Sequence, residues 1–136
     1  MAFKFRCPVE VRFRDCDPMG HANNAVYLTY LEVARSAYWS DVCGGRGWGD
    51  IRFIMARVEV DYKAPAEPGD VLDIGLAITS IGRTSFVFEY ELLNQRGLVV
   101  ATARTVQVMY DYATQKPVPV LQGFKDRVFA YEGLTP

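Results

Sequence analysis

Residue types that would mark a metal site, a disulfide scaffold or a membrane span are scarce in this chain. Its 136 residues include one histidine, His21, so no histidine cluster is available and we expect no metal. Cys7, Cys16 and Cys43 are odd in number and form no Cys-x-x-Cys pair, which argues against a disulfide framework or a zinc site and favours reduced thiols. No run of about 18 apolar residues occurs, so we expect no membrane-spanning helix.

The charge balance narrows the possible partners. Fifteen basic residues nearly offset sixteen acidic ones, and a formal charge of -1 gives no general attraction to nucleic acid or to an anionic membrane. The first residues, MAFKFRCPVEV, lack the long apolar segment of a secretory signal, so we expect a cytoplasmic protein. Half of the residues are hydrophobic and 23% are charged, which predicts a single packed domain over residues 1–136.

A strand followed by a polar turn is predicted near the start of the chain. Pro8 to Arg14 alternates in polarity, with Val11 and Phe13 on the same face, as in a half-buried strand. The turn after it contains Pro18, which disfavours helix at the preceding residue, and Gly20, which accepts unusual backbone angles.

A long helix is predicted to follow the turn. It begins at Asn23 or Asn24, which are good N-cap residues, and runs to about Val42. Apolar residues cover most of its circumference, so we expect it to be buried on most sides. The polar residues recur at spacings of three and four and form one narrow stripe: Thr29, Glu32, Ser36 and Ser40. Glycines at positions 44, 45, 47 and 49 predict the end of the helix and a mobile loop.

The second half of the chain reads mainly as sheet. Alternation and turn residues predict four strands, at Ile54 to Ala64, Val71 to Ser80, Ser85 to Leu93 and Leu98 to Tyr110. Short turns join the last three, so we expect an antiparallel meander. An extended linker at residues 116–119 and a short helix at residues 124–131 complete the prediction.

These elements favour an α+β fold with about five antiparallel strands curled around the long helix. A single curled sheet of this size leaves a free edge and a partly apolar face. Pairing of two copies edge to edge would satisfy that edge, so we predict a homodimer or a homotetramer.

The stretch from Arg12 to Asn24, RFRDCDPMGHANN, followed by Tyr27, resembles the signature of hot-dog-fold thioesterases. Its pattern D-x-D-x-x-G-H-x-N-N-x-x-Y is similar to the 4-hydroxybenzoyl-CoA thioesterase and acyl-CoA thioesterase group. The segment Ile81 to Phe86 also resembles a turn of that family. The resemblance spans nearly the whole chain and implies a hot-dog fold and hydrolysis of an acyl-CoA thioester.

The same resemblance implies three catalytic groups. The second acidic residue of the family motif is the catalytic carboxylate, and it matches Asp17. The family's oxyanion donor is a backbone N–H that maps near Asn24. His21 matches the catalytic histidine of plant acyl-carrier-protein thioesterases, although Met19 stands where that pattern has asparagine.

The chemistry of thioester hydrolysis suits a carboxylate just before a helix. Asp17 could attack the carbonyl directly or activate water, while N–H groups of the first helical turn hold the oxyanion. Each residue also has a structural reading, Asp17 as a turn or helix cap and His21 as a holder of the loop. Glu32 is a reserve carboxylate. Cys16 is a poor nucleophile because the neighbouring carboxylate raises the pKa of its thiol.

Candidate substrate contacts extend beyond the turn. Side chains that could line an acyl pocket for an aryl or medium-chain group are Tyr27, Leu31, Phe53, Tyr62 and Phe86. The phosphates of coenzyme A could meet Arg83 at the later turn, Lys63, Arg57 or Arg104. Thr84 and Ser85 of the same turn are further candidates for substrate binding. Coenzyme A is part of the substrate, so no separate cofactor is expected. Rival functions on the same fold are an acyl-carrier-protein thioesterase, a dehydratase and a non-catalytic acyl-binding module.

Overall fold

An antiparallel sheet provides the frame of the molecule. The computed structural model describes residues 2–44 and 52–135. The strands are β1 (Phe5–Glu10), β2 (Phe53–Tyr62), β3 (Val71–Ile81), β4 (Ser85–Leu93), β5 (Val99–Asp111) and the short β6 (Lys116–Pro117). Their order is β1-β3-β4-β5-β2, with β6 paired to β5. The predicted meander of β3, β4 and β5 is confirmed, and β2 ends the sheet on one side.

Two helices pack with this sheet. The long helix α1 (Val26–Cys43) contributes six buried side chains to the core, and α2 (Gln122–Glu132) contributes Phe124 and Val128. The side of the sheet that faces the helices is apolar. Alternate residues of a strand point to the same side, and on β3 the buried ones are Ile74, Leu76 and Ile78. The predicted α+β hot-dog class, a sheet of about five strands with one long helix, is confirmed.

The predicted strand from Pro8 to Arg14 is wrong in its second half. β1 ends at Glu10, and Phe13–Asp15 forms a 3-10 turn in which the Phe13 side chain is 87% exposed. The cause is Asp15, which is buried and whose carboxylate accepts a hydrogen bond from the Arg12 N–H at 3.0 Å. That bond folds the chain back on itself before the alternation can continue.

The predicted start and burial of the long helix also need correction. α1 begins at Val26 rather than at Asn23 or Asn24, because the Asn23 side chain accepts a hydrogen bond from the Ala25 N–H and forms a separate turn. The predicted polar stripe lies on the outer side, but it is not narrow. Leu28 and Val33 are 43% and 44% exposed, so a single copy of the sheet covers about half of the helix.

The end of α1 is capped by Gly44, which takes a left-handed conformation. The rest of the predicted glycine loop, at positions 45, 47 and 49, lies outside the described residues. The predicted extended linker contains β6, and the predicted last helix is present but longer. Among residues 2–44 and 52–135, no helix is long and apolar enough to cross a membrane.

Candidate active site

The polar turn after β1 folds into a closed loop that carries the two main candidate side chains. Cys16 and Ala22 pair as an isolated antiparallel bridge, and the Asp17 N–H donates to the His21 carbonyl at 2.9 Å. The Gly20 N–H donates to the Asp17 carbonyl at 2.9 Å, with Gly20 in a left-handed conformation (φ 82°) that favours glycine. Asp17 and His21 therefore face each other across the base of one tight loop.

The Asp17 carboxylate is half-buried and only partly engaged. Its Oδ1 accepts a hydrogen bond from the Met19 N–H at 2.9 Å, which fixes the direction of the side chain. Within the described residues Oδ2 accepts no hydrogen bond. This arrangement leaves one carboxylate oxygen available to a substrate or a water molecule.

The entrance to α1 lies beside this loop and supplies free backbone donors. The Val26 and Leu28 N–H groups donate to the carbonyls of Asn23 and Ala25. In the described chain, the N–H groups of Asn24 and Tyr27 donate to no backbone carbonyl. Unpaired N–H groups at a helix start carry partial positive charge and suit an oxyanion.

A cavity of about 410 Å³ joins the loop, the helix entrance and the end of β2. Its lining residues are Asp17, Met19, His21, Ala22, Asn24, Tyr27, Tyr62, Lys63, Ala64 and Pro65. The Tyr62 hydroxyl donates to the Asn24 carbonyl at 2.9 Å, and the Tyr27 and Tyr62 rings meet edge to face at 5.0 Å. Six of the predicted site residues thus line one cavity: Asp17, His21, Asn24, Tyr27, Tyr62 and Lys63.

Other predicted contacts lie elsewhere in the same chain. Leu31 and Phe86 are both 1% exposed and belong to the core. Tyr62 pairs with Ala101 on β5, whereas Ser85 pairs with Val108, seven residues further along that strand. At about 3.3 Å per residue this separates the turn at positions 83–85 from the cavity by roughly 23 Å.

A second cavity, of about 340 Å³, lies further along α1 against the start of β2. It contains Phe53, a predicted acyl contact, and Glu32, the reserve carboxylate, along with Trp39 and Arg35. The Arg35 guanidinium donates to the Tyr90 hydroxyl at 3.1 Å. Glu32 lies six residues after Val26, about 9 Å along the helix axis, and lines this second cavity rather than the one with Asp17.

The predicted phosphate contacts lie in different surroundings. Lys63 lines the cavity with Asp17. Arg57 forms an ion pair with Glu59 at 2.7 Å. Arg104 pairs in register with both Glu59 and Glu89, on the side of the sheet that faces away from α1. Of these three cations, Lys63 is the one near the candidate catalytic groups.

Charges around the loop favour Asp17 over Cys16 as the reactive group. Burial raises the pKa of the Cys16 thiol, and the neighbouring carboxylates of Asp15 and Asp17 raise it further. A thiol with a raised pKa holds less of the nucleophilic thiolate at neutral pH. Within the described residues, no group of three or more His, Cys, Asp or Glu side chains is placed to hold a metal ion.

Sequence reasoning missed the part played by Asp15. It is 4% exposed, and its carboxylate accepts hydrogen bonds from the Arg12 guanidinium at 2.9 Å and the Tyr30 hydroxyl at 2.8 Å. Burial raises the pKa of Asp15, but these hydrogen bonds outweigh it and hold the pKa below its usual value. The available signal was that Asp15 continues the spacing of Val11 and Phe13, so an acidic residue stands where the alternation predicts an apolar one.

The family model described as the thioesterase-like superfamily matches residues 11–128. The chain belongs to this superfamily. It is 31% identical over 120 residues to the acyl-CoA thioester hydrolase YbgC of Escherichia coli O157:H7, covering 83% of this chain and 87% of that protein. It is 32% identical over 114 residues to the long-chain acyl-CoA thioesterase FadM of Escherichia coli K12, covering 79% and 84%.

Solved structures agree with this membership of the thioesterase-like superfamily. A thioesterase from Thermus thermophilus, solved with coenzyme A and zinc, is 36% identical, with a TM-score of 0.87 over 98% of this chain and 97% of that one. The predicted family, hot-dog thioesterases, and the predicted enzyme class, a thioester hydrolase, are confirmed. Two relatives are named for different acyl groups, a long-chain acyl group and a 1,4-dihydroxy-2-naphthoyl group, so the acyl specificity stays open.

Proposed function

We propose that this chain hydrolyses acyl-CoA thioesters in the cavity that contains Asp17, His21 and Asn24. The observation that carries the proposal is the meeting of a partly free carboxylate with two unpaired N–H groups at the start of α1 in that cavity. A carboxylate supplies the attacking group or activates water, and the N–H groups stabilise the oxyanion. The acyl-CoA thioesterases among the relatives support the substrate class.

The proposed reaction needs few groups because a thiolate is a good leaving group. The thioester carbonyl oxygen lies toward the N–H groups of Asn24 and Tyr27, where negative charge develops. Asp17 either attacks the carbonyl carbon and forms an anhydride, which water then hydrolyses, or takes a proton from an attacking water. In both routes the C–S bond breaks, coenzyme A leaves as thiolate, and the acid is released.

His21 is proposed to orient water or the thioester beside Asp17. Its backbone carbonyl accepts the Asp17 N–H, and its side chain lines the cavity.

No metal ion or cofactor is required, because the groups of the chain supply both the activated oxygen and the oxyanion donors. Cytoplasmic residence is proposed on the basis of three free thiols, at Cys7, Cys16 and Cys43.

A homodimer is proposed to complete the site. β2 is an edge strand with partly exposed apolar side chains at Ile54, Val58 and Tyr62, so a second β2 could extend the sheet across it. Antiparallel pairing of two identical strands brings the start of one against the end of the other. Ser85 and Ile54 both pair with Val108, so Phe53 and the turn at 83–85 lie at the same end of the sheet. In the dimer, that end of the partner's sheet would lie next to Tyr62.

In this dimer, predicted substrate contacts that are distant within one copy come together across the interface. The acyl group would lie between the two copies, against Tyr27 and Tyr62 of one and Phe53 of the other. The partner's Arg83, Thr84 and Ser85 would approach the coenzyme A portion, together with Lys63. Sedimentation should give a dimer, or a tetramer if two dimers associate, and Val58→Lys should reduce it to monomers. A wild-type sample that sediments only as monomer would contradict the dimer.

Thiol release tests the proposed function. Wild type and Asp17→Asn are compared on a panel of aryl- and alkanoyl-CoA thioesters and on the matching acyl-carrier-protein thioesters. Asp126→Asn serves as control because it changes an exposed carboxylate on α2 outside the cavity. We expect Asp17→Asn to lower kcat by about 100- to 10,000-fold and Asp126→Asn to leave it unchanged. Full turnover by Asp17→Asn would make the assignment wrong, and release only from acyl-carrier-protein thioesters would move the substrate to that carrier.

A further inference from the structure

A buried carboxylate, that of Asp15, lies at the start of the loop that carries Asp17 and His21. Asp15 is 4% exposed, and both oxygens of its carboxylate are engaged. Oδ2 accepts from the Arg12 N–H at 3.0 Å and from the Tyr30 hydroxyl at 2.8 Å, while Oδ1 accepts from the Arg12 guanidinium at 2.9 Å. A buried carboxylate with this many donors holds its surroundings in one arrangement.

The backbone of the same residue closes the loop. The Asp15 carbonyl accepts the Asn23 N–H at 2.9 Å, next to the bridge between Cys16 and Ala22. The two ends of the loop therefore meet at Asp15. Its main chain closes the loop, and its side chain reaches the helix.

The contact with the helix is made through Tyr30, which is 3% exposed. Tyr30 lies four residues after the start of α1, and its ring meets the Tyr27 ring at 5.8 Å. Tyr27 in turn lines the cavity and has an unpaired N–H. The Asp15–Tyr30 hydrogen bond is thus a direct link between the loop that bears the carboxylate and the helix that bears the oxyanion donors.

We propose that Asp15 is a positioning residue for the hydrolysis, which holds the Asp17 carboxylate at a set distance from the N–H groups at the start of α1 through its bond to Tyr30. The inference rests on the proposed function for its catalytic meaning. A misplacement of about 1 Å can cost roughly 100-fold in rate, so a link of this kind has a measurable effect on turnover.

The chain contains a matched control for the Tyr30 bond. Tyr38 lies on the same helix, is fully buried, and donates its hydroxyl to the Glu132 carboxylate at 2.6 Å. It lies eight residues further on, about 12 Å along the axis, and contacts α2 rather than the loop. Tyr30→Phe and Tyr38→Phe each remove one hydrogen bond from a buried phenol to a carboxylate and keep the ring.

The first measurement compares the kinetics of the two variants. We expect Tyr30→Phe to lower kcat by about tenfold with little change in KM, while Tyr38→Phe lowers the unfolding midpoint and leaves kcat within about twofold of wild type. Asp15→Asn should lower kcat further than Tyr30→Phe. Equal kcat values for Tyr30→Phe, Tyr38→Phe and wild type would overturn the proposal and reduce Asp15 to a packing role.

The second measurement does not depend on turnover. His21 is the single histidine of the chain, so its ring gives one set of NMR resonances that report on the loop. We expect these resonances to shift in Tyr30→Phe and to stay in place in Tyr38→Phe. Unchanged resonances in Tyr30→Phe would overturn the positioning proposal even if the enzyme is active. A wild type that releases no thiol from any thioester would instead overturn the proposed function, while the shift of His21 would still decide whether Asp15 positions the loop.

Discussion

The Tyr62 hydroxyl donates a hydrogen bond to the carbonyl oxygen of Asn24 at 2.9 Å. Tyr62 is the last residue of the edge strand β2, and Asn24 lies in the turn that enters α1. The bond ties the edge of the sheet to the backbone segment whose N–H groups are the candidate oxyanion donors. Any shift of that edge is therefore passed to the candidate site.

Tyr62→Phe tests this connection. The ring should remain against Tyr27, at 5.0 Å between centroids, while the hydroxyl bond is lost. One neutral hydrogen bond is worth about 1 kcal/mol, so we expect kcat to fall by roughly fivefold. Steady-state thiol release measures this, with the unfolding free energy as control. A variant with unchanged kcat would show that the bond does not act on the site.

Leu31→Ala separates packing from substrate contact. Leu31 is 1% exposed in the core, so its truncation should lower the free energy of unfolding by about 2–5 kcal/mol. We expect kcat per folded molecule to stay at the wild-type value. Val33→Ala, on the exposed side of the same helix, should change the unfolding free energy by less than about 0.5 kcal/mol. Urea titration at one protein concentration measures both, and a specific loss of activity in Leu31→Ala would restore its predicted role in binding substrate.

Strands with a regular alternation could be predicted closely from the sequence. β4 runs from Ser85 to Leu93 as expected, because the buried Phe88, Tyr90 and Leu92 alternate with the less buried Glu89 and Glu91 and turns bound both ends. The alternation through Phe13 was misleading, since it could not reveal that Asp15 is buried and accepts hydrogen bonds from Arg12 and Tyr30. Burial of a charged group depends on partners distant in sequence, and periodicity does not report them.

The part of the candidate site that is contiguous in the sequence could be predicted. Asp17, His21 and Asn24 lie within eight residues, so one turn brings them together whatever the rest of the fold. Tyr62 reaches them because β2 is at the edge of the sheet, and the same strand order keeps the turn at position 83 away. Strand order depends on pairing between segments that are distant in the chain, and the pattern of a single sequence gives little information on such pairing.

Asp70→Asn is expected to have a pH-dependent effect on stability. The Glu67 N–H, at 2.9 Å, and the Gln95 side chain donate to the buried Asp70 carboxylate and lower its pKa despite burial, which raises it. The folded pKa lies below the unfolded value of about 3.9, so the stabilisation is full above about pH 5 and is lost as the pH falls through the folded pKa.

The measurement is the difference in unfolding free energy between wild type and Asp70→Asn from pH 7 down to about pH 2. The difference should be largest near neutral pH and should shrink as the pH falls below about 5, because protonation removes the charge that the variant lacks. Asp126→Asn, which changes an exposed carboxylate of α2, provides the reference. A difference for Asp70→Asn that grows on acidification would contradict the expected sign.

Gly44→Ala and Gly133→Ala form a pair that isolates one interaction at the end of α1. Both glycines cap a helix in the left-handed conformation, with φ of 72° and 70°, so alanine costs about 1–2 kcal/mol at either position. A Cβ at Gly133 would meet no atom within 4 Å, whereas at Gly44 it would lie 1.7 Å from Nη1 of Arg127. That guanidinium donates to the Cys43 carbonyl at 2.6 Å and would have to move. We expect Gly44→Ala to lower the unfolding free energy by about 0.5–1.5 kcal/mol more than Gly133→Ala. Repeating both changes in an Arg127→Ala background should make the two losses equal, and a persistent gap there would mean that Arg127 is not the cause.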